Sequence, residues 1–217
     1  MKKLLAVIVF ISIVIPSIVN ASENMMAWEN VGKDQRTWYS DFYFGRLAPE
    51  IKKSVGAVTF RTEKPGPHWG GVQKWTDLQG ISLVFVVKSP NDSTLAAVSK
   101  AIGVTPSGSY LEAVIRLFVV GDRVGFEYQV REWAYSNNRW IRNTVFTAKF
   151  DSLYRVGERV PVAMTRIGDT VHFHTTKDNA IMSYQLLYHV RHISSPTVIM
   201  YASNDYSVVE AFNVELF

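Results

Sequence analysis

The sequence predicts an all-β protein, two antiparallel sheets packed as a sandwich with one or two short helices at its rim. Three observations carry that prediction. Apolar and polar residues alternate with period two in one segment after another. The same segments are rich in Val, Ile, Thr and aromatic side chains, and turns built from Gly, Asn and Asp separate them. So many short alternating segments bury their apolar faces most simply by stacking two sheets.

The first segment is not expected to join the fold. Lys2 and Lys3 precede an apolar run from Leu4 to Val19, interrupted by Pro16 and followed by Val19-Asn20-Ala21. A basic start, an apolar stretch and a small-residue exit are the parts of a secretory signal peptide, cut after Ala21. Residues 22–217 are then one β-sandwich domain, secreted or periplasmic, with no stable membrane insertion after cleavage. The chain has 217 residues with 23 basic and 19 acidic side chains, and Lys2 and Lys3 fall in the leader, so 21 basic residues face 19 acidic ones in the remainder. That near balance, without a Lys/Arg block, gives no footprint for nucleic acid. There is no cysteine, which excludes disulfides, thiol catalysis and thiolate-bound zinc.

Along residues 22–217, alternation and turn residues predict strands near 41–45, 55–61, 81–88, 110–120, 124–133, 139–150, 159–167, 170–176, 182–190, 197–202 and 207–217. Helices are expected over Pro49 to Ser54 and over Ser93 to Ile102, where Asn91, Asp92 and Ser93 offer caps and Gly103 a stop. Glu63 to Gly71 ("EKPGPHWGG") reads as a long loop carrying His68 and Trp69 at a sheet rim.

Two hairpins can be registered. A turn at Asp122-Arg123 pairs Val119 with Phe126, Leu117 with Tyr128 and Ile115 with Val130 on the core side. The opposite side then holds Phe118, Arg116, Val114 and Glu112 beside Glu127, Gln129, Arg131 and Trp133. A second turn at Gly168-Asp169 pairs Met164 with Phe173 in the core and leaves Ala163, Thr165, His172 and His174 outside.

The segment from Gly157 through Arg159 to Thr175 ("RVPVAMTRIGDTVHFHT"), with the closing strand Val209 to Phe217 ("VEAFNVELF"), resembles the concanavalin A-like lectin/glucanase superfamily, laminin-G-like modules in particular. Those modules carry a similar V-x-V-A-x-T-R-x-G-D-T-V hairpin. The resemblance is confined to the C-terminal third. It implies a jelly-roll sandwich with a concave face, and glycans as the usual ligands.

The face carrying Arg116, Glu127, Gln129, Arg131 and Trp133, extended by Trp140 and Arg142 of the next strand, is the candidate ligand-binding site. A sugar is apolar on its faces and polar around its rim, so an indole set among planar polar side chains suits it. The same residues could equally form a solvated sheet face laced by cross-strand ion pairs. Hydrolases of the resembled superfamily set two carboxylates on one strand face, about 5 Å apart for retaining chemistry. Here the comparable positions are Glu127, Gln129 and Arg131, which removes the second carboxylate. Non-catalytic, lectin-like glycan binding is the leading expectation. A polysaccharide lyase is the alternative, in which Arg116, Gln129 and Arg131 neutralise a uronate while His172 or Tyr135 moves the proton. A sandwich that binds a protein partner is the third.

His172 and His174 have a spacing that a transition metal could use with His189, His192 or Asp178, yet two histidines on an exposed strand face need no metal. Asn91-Asp92 and Asn204-Asp205 likewise read as turn residues rather than a calcium site. No metal and no cofactor are expected. Mass spectrometry of exported protein should find an N-terminus at Ser22, and retention of Lys2 and Lys3 would show an anchor instead.

Overall fold

The computed structural model describes residues 22–32, 46–149, 153–175 and 181–217. They form two antiparallel sheets whose strands are numbered in chain order. The larger sheet runs β1 (Glu29–Gly32), β4 (His68–Thr76), β14 (Ser195–Ser203), β6 (Leu95–Val104), β7 (Tyr110–Val120), β8 (Arg123–Ser136). The far edge of β8 is shared by β10 (Tyr154–Arg155) and β9 (Arg139–Lys149). The smaller sheet runs β13 (Ile181–Gln185), β12 (Thr170–Thr175), β11 (Val160–Ile167), β5 (Gly80–Ser89), β15 (Val208–Leu216), β3 (Ala57–Arg61), β2 (Glu50–Ser54).

The core between the sheets is the one that alternation marks out. Leu117, Val119, Phe126, Tyr128 and Val130 of the larger sheet and Met164 and Phe173 of the smaller are all buried in it. Tyr128 packs on Phe173 at 5.0 Å between ring centres, across the layer that holds the two sheets together. Each such side chain contributes roughly 1.5–3 kcal/mol relative to exposure.

The β11–β12 hairpin has the expected register, with Met164 opposite Phe173 and Gly168 at φ +57° in the first turn position. The β7–β8 hairpin differs from expectation by two residues. It turns at Gly121-Asp122, with Gly121 at φ +59°, and pairs Val119 with Val124, Leu117 with Phe126 and Ile115 with Tyr128. A two-residue slip leaves every side chain on its face but changes its partner. Arg116 therefore stands opposite Glu127, and Glu112 opposite Arg131. Glycine decides the slip, because the first position of this tight turn needs a positive φ that Asp122 would adopt at a cost.

The expected helices are strands. Among the described residues the sole helical element is a single 3-10 turn, Met25–Ala27, capped by the Asn24 side chain. Pro49 to Ser54 contributes β2, five residues too short to nucleate a helix alone, whose Ile51 faces Phe60 of β3. Ser93 to Ile102 contributes β6, in the interior of the larger sheet with nearly every residue buried. Its Ala and Ser residues favour a helix intrinsically or sit neutrally in one, but burial on both faces selects narrow side chains and overrides that preference. Asn91 caps no helix; its Oδ1 accepts from the Ser93 amide at 2.9 Å and closes a turn. Within the stretch read as a loop, His68 to Gly71 opens β4, and Trp69 is buried. The strand expected at 41–45 lies outside the described residues.

In the middle of β6, Lys100 is 1% exposed. Its Nζ lies 3.3 Å from Ser195 Oγ. Burial pulls its pKa down to about 8, against the raising effect of Asp77. Between pH 8 and 10.5 the native state therefore holds fewer protons at this site than the unfolded chain, so stability rises with pH through that window, by up to about 3 kcal/mol. Denaturant unfolding at pH 7 and near pH 10 should show wild type gaining on Lys100→Met as pH rises; parallel pH profiles would exclude a strained ammonium.

Candidate functional site

The face of β7, β8 and β9 that points away from the core carries all seven residues singled out in the sequence. Successive cross-strand rows can be read from the registers. Arg116, Glu127 and Lys149 form one row; Val114, Gln129 and Thr147 the next; Glu112, Arg131 and Thr144 the third; Tyr110, Trp133 and Arg142 the fourth. Tyr135 and Trp140 face each other one step further on. Trp140 and Arg142 thus join the expected side. A β-bulge between Val130 and Arg131 takes up one extra residue of β9, so Phe146 still faces the core while Thr144 and Arg142 face outward.

Exposure divides these residues sharply. Gln129, Arg131 and Trp133 are buried, Arg116, Glu127 and Trp140 are half-buried, and Arg142 is exposed. Trp133 is only 1% exposed, so it is on the expected face without being displayed. It belongs to a second apolar cluster on this outer face, with Val31, Trp69, Ala97, Val114, Val198 and Met200. The charged residues that flank the indole mark its side as outward-facing, and those charges are themselves compensated.

The compensation centres on Glu112, whose side chain is fully buried. Its Oε2 accepts from the Trp133 indole N–H at 2.7 Å and lies 3.7 Å from Arg131 Nη1. Arg131 Nε donates to Gln129 Oε1 at 2.6 Å. Burial pushes the Glu112 pKa up, opposed by the charge of Arg131, the indole hydrogen bond, Ser99 and Arg142. Among the described residues, none offers its Oε1 a hydrogen bond within bonding distance. A hollow of about 20 Å³ lies beside it, lined in part by Trp69, Glu112, Arg116, Arg131, Trp133 and Arg142. That is room for about one water and far too little for a sugar ring.

Further along, Glu127 Oε2 accepts from Arg116 Nη1 at 3.3 Å and its Oε1 from Thr147 at 2.8 Å. Glu112 and Glu127 are therefore each matched to an arginine, in rows four residues apart, about 13 Å along the strand. Glycosidase carboxyl pairs stand about 5–5.5 Å apart for retention or ~6.5–9.5 Å for inversion. The residues named for lyase chemistry are also separated. His172 lies on β12 of the other sheet, where its Nδ1 meets Ser183 Oγ at 2.8 Å, and Tyr135 is six residues beyond Gln129, about 20 Å along β8.

Two features of this face were missed in the sequence. Trp69 reaches it through the first residues of β4, His68 to Gly71, which the sequence marks as the end of a loop. The second is an aromatic group at the β8–β9 end: Trp140 lies edge-on to Tyr135 at 5.2 Å and to Tyr110 at 5.7 Å, with Tyr135 61% exposed. Asn137 and Asn138, both at positive φ, make the turn that sets Tyr135 opposite Trp140. That Asn-Asn pair was the available signal.

No family model matches the sequence, and no curated protein matches it. Solved structures do. A family 16 glycoside hydrolase of Bacteroides ovatus, solved with the product G4G4G3G, is similar with a TM-score of 0.57 at 9% identity, over 91% of this chain and 97% of that one. A glycoside hydrolase family 16 endo-glucanase of the same organism gives 0.55 at 8% identity, over 88% and 94%. A functionally unknown protein from Saccharomyces cerevisiae gives 0.51 at 10%, over 90% and 98%. The fold is a concanavalin A-like jelly-roll sandwich. The likeness spans nine tenths of the chain, so the resemblance is not confined to the C-terminal third as the hairpin motif suggested.

Removing Arg131 would leave Glu112 buried without its counter-charge. Arg131→Leu should destabilise the fold by about 3–5 kcal/mol at pH 7 and by less near pH 5, because lower pH favours the neutral form of a carboxyl whose pKa burial raises. Thermal unfolding at both pH values checks this, and an equal loss at both would mean that Arg131 acts by packing alone.

Proposed function

We propose that this chain is an exported, non-catalytic glycan-binding protein, with the ligand lying on the outer face of β8 and β9. The observation that carries the reading is the Tyr110–Trp140–Tyr135 group, a fixed and partly exposed aromatic surface beside a row of hydrogen-bonding side chains. Rings held edge-to-face lose little further freedom when a sugar stacks on them, so the apolar contact is retained as affinity. Arg116, Glu127 and Arg142 lie at the accessible side of the platform. Gln129, Arg131 and Trp133 lie beneath, holding the strands in register rather than touching the ligand.

The ligand class draws support from the solved structures with this fold, one in complex with an oligosaccharide product and another an endo-glucanase. The non-catalytic part rests on the charge pattern. Both carboxylates of the β7–β9 face are committed to arginines and too far apart to act as a pair.

Isothermal titration against a panel of oligosaccharides tests the reading. Tyr135→Ala and Trp140→Ala should each weaken binding by about 1–3 kcal/mol, the scale of an aromatic anchor, with little change in melting temperature for Tyr135→Ala. Binding that both variants leave intact, or turnover of any polysaccharide by the wild type, would overturn it.

A further inference from the structure

We infer that a hollow beyond the end of β6 is a second ligand site, one that takes a small organic carboxylate; the inference stands apart from the glycan-binding reading above. The hollow has a volume of about 390 Å³ and is lined by Val104, Thr105, Pro106, Gly108, His189 and Arg191. Small-molecule sites are commonly hollows of roughly 300–1,000 Å³ with apolar walls and a few fixed polar groups. Val104 and Pro106 supply the apolar wall, and Arg191 and His189 the polar groups. The charge selects the ligand. Arg191 is exposed, and among the described residues no carboxylate pairs with its guanidinium. The acid beside the hollow, Asp169, is engaged elsewhere, its Oδ1 lying 3.4 Å from Arg166 Nη2 and 3.4 Å from His189 Nδ1. That contact leaves Nε2 as the imidazole nitrogen open to a ligand. A guanidinium presents a planar fork of donors that fits both oxygens of a carboxylate.

The walls of the hollow are fixed before any ligand arrives. Val104 N donates to Arg191 O at 2.9 Å and Arg191 N to Val104 O at 3.0 Å, so the two residues exchange both backbone hydrogen bonds. The buried guanidinium of Arg166 donates to the carbonyls of Ile102, Gly168 and Val190, which ties the segment carrying His189 and Arg191 to the end of β6 and to the β11–β12 turn. Gly103, at φ +151°, lets that segment run so close, since a Cβ there would come within 2.6 Å of the Arg191 carbonyl. On the opposite wall Thr105 N donates to Ser109 O at 2.8 Å, and Thr105 Oγ1 accepts from Ser109 N at 3.0 Å. Backbone held this firmly loses little further freedom when a ligand binds.

The test titrates the purified protein with glucuronate, benzoate and glucose and reads binding by calorimetry. One or both carboxylates should bind at least about tenfold more tightly than glucose, the scale of one charge-assisted hydrogen bond. Stronger binding of glucuronate assigns the site to sugar acids, and stronger binding of benzoate to acids with an apolar body. Arg191→Gln should remove the advantage of the carboxylates, while the melting temperature and any oligosaccharide binding at Tyr135 and Trp140 stay as in the wild type. Lys64→Gln serves as the control, because Lys64 is an exposed cation in the β3–β4 loop, which meets Asn204 at the other end of β14; it should leave carboxylate affinity unchanged. Glucose bound as tightly as both carboxylates, or no binding of either carboxylate, would overturn the inference. An equal loss in Arg191→Gln and Lys64→Gln would also overturn it, by showing attraction to the whole surface rather than to this hollow. None of these outcomes bears on the glycan reading, which stands or falls with Tyr135→Ala and Trp140→Ala.

Discussion

The strands β14, β6 and β7 are buried on both faces, and most of this structure follows from that constraint. One side closes onto the inter-sheet core around Tyr128 and Phe173; the other closes onto the cluster of Trp69, Trp133, Val198 and Met200. A strand enclosed twice has no wet face on which to place charge, so its residues are small, apolar or compensated. β6 meets the demand with Ala96, Ala97, Ser99 and Ala101. β4 meets it with Gly71, where even a Cβ would come within 2.6 Å of the Ile199 carbonyl. β7 meets it at Glu112 by surrounding the carboxylate with Arg131 and the Trp133 indole. Removing either partner leaves a buried charge, so this small polar group fixes how β7 and β8 lie against each other.

The same constraint explains what the sequence reveals and what it hides. β11, β12 and β15 keep one face wetter than the other, and their alternation is plain. β6 lacks such a contrast, and its alanines mimic a helix. The charged residues of β7 and β8 signal their outward side correctly, since charge seldom enters a core. They mislead about exposure at Trp133, because a paired charge under a second apolar layer leaves the same period-two trace as a charge in water. The two-residue slip of the β7–β8 hairpin has a related origin. Both registers satisfy the alternation, so the backbone conformation of Gly121 decides between them.

Along β8 the environment changes within a few residues. Trp133 is enclosed, Ala134 half-enclosed and Tyr135 open, so the β8–β9 hairpin leaves the sandwich at this point and carries its aromatics beyond the covered region. The bulge at Val130 and Arg131 sharpens the twist just before that exit, and the Asn137-Asn138 turn closes it tightly. An aromatic surface whose rings pack edge-to-face on a hairpin rooted in a doubly buried sheet has less freedom left to lose on contact with a ligand.

The likeness to endo-glucanases in fold sharpens the contrast in chemistry on this face. Retaining hydrolysis requires one carboxyl to stay ionised and a neighbour to hold a proton, which demands environments that pull two nearby pKa values apart. On β8 the position two residues from Glu127 is Gln129, buried and bonded to the Nε of Arg131. A carboxyl placed there would sit against that guanidinium and be held ionised, the opposite of what a proton donor needs. The arginine that balances Glu112 therefore also keeps the neighbourhood of Glu127 unsuited to general-acid chemistry. On this face, the charge balance that lets the sheet be buried on both sides leaves Glu112 and Glu127 each beside an arginine, without the paired environments that retaining hydrolysis requires.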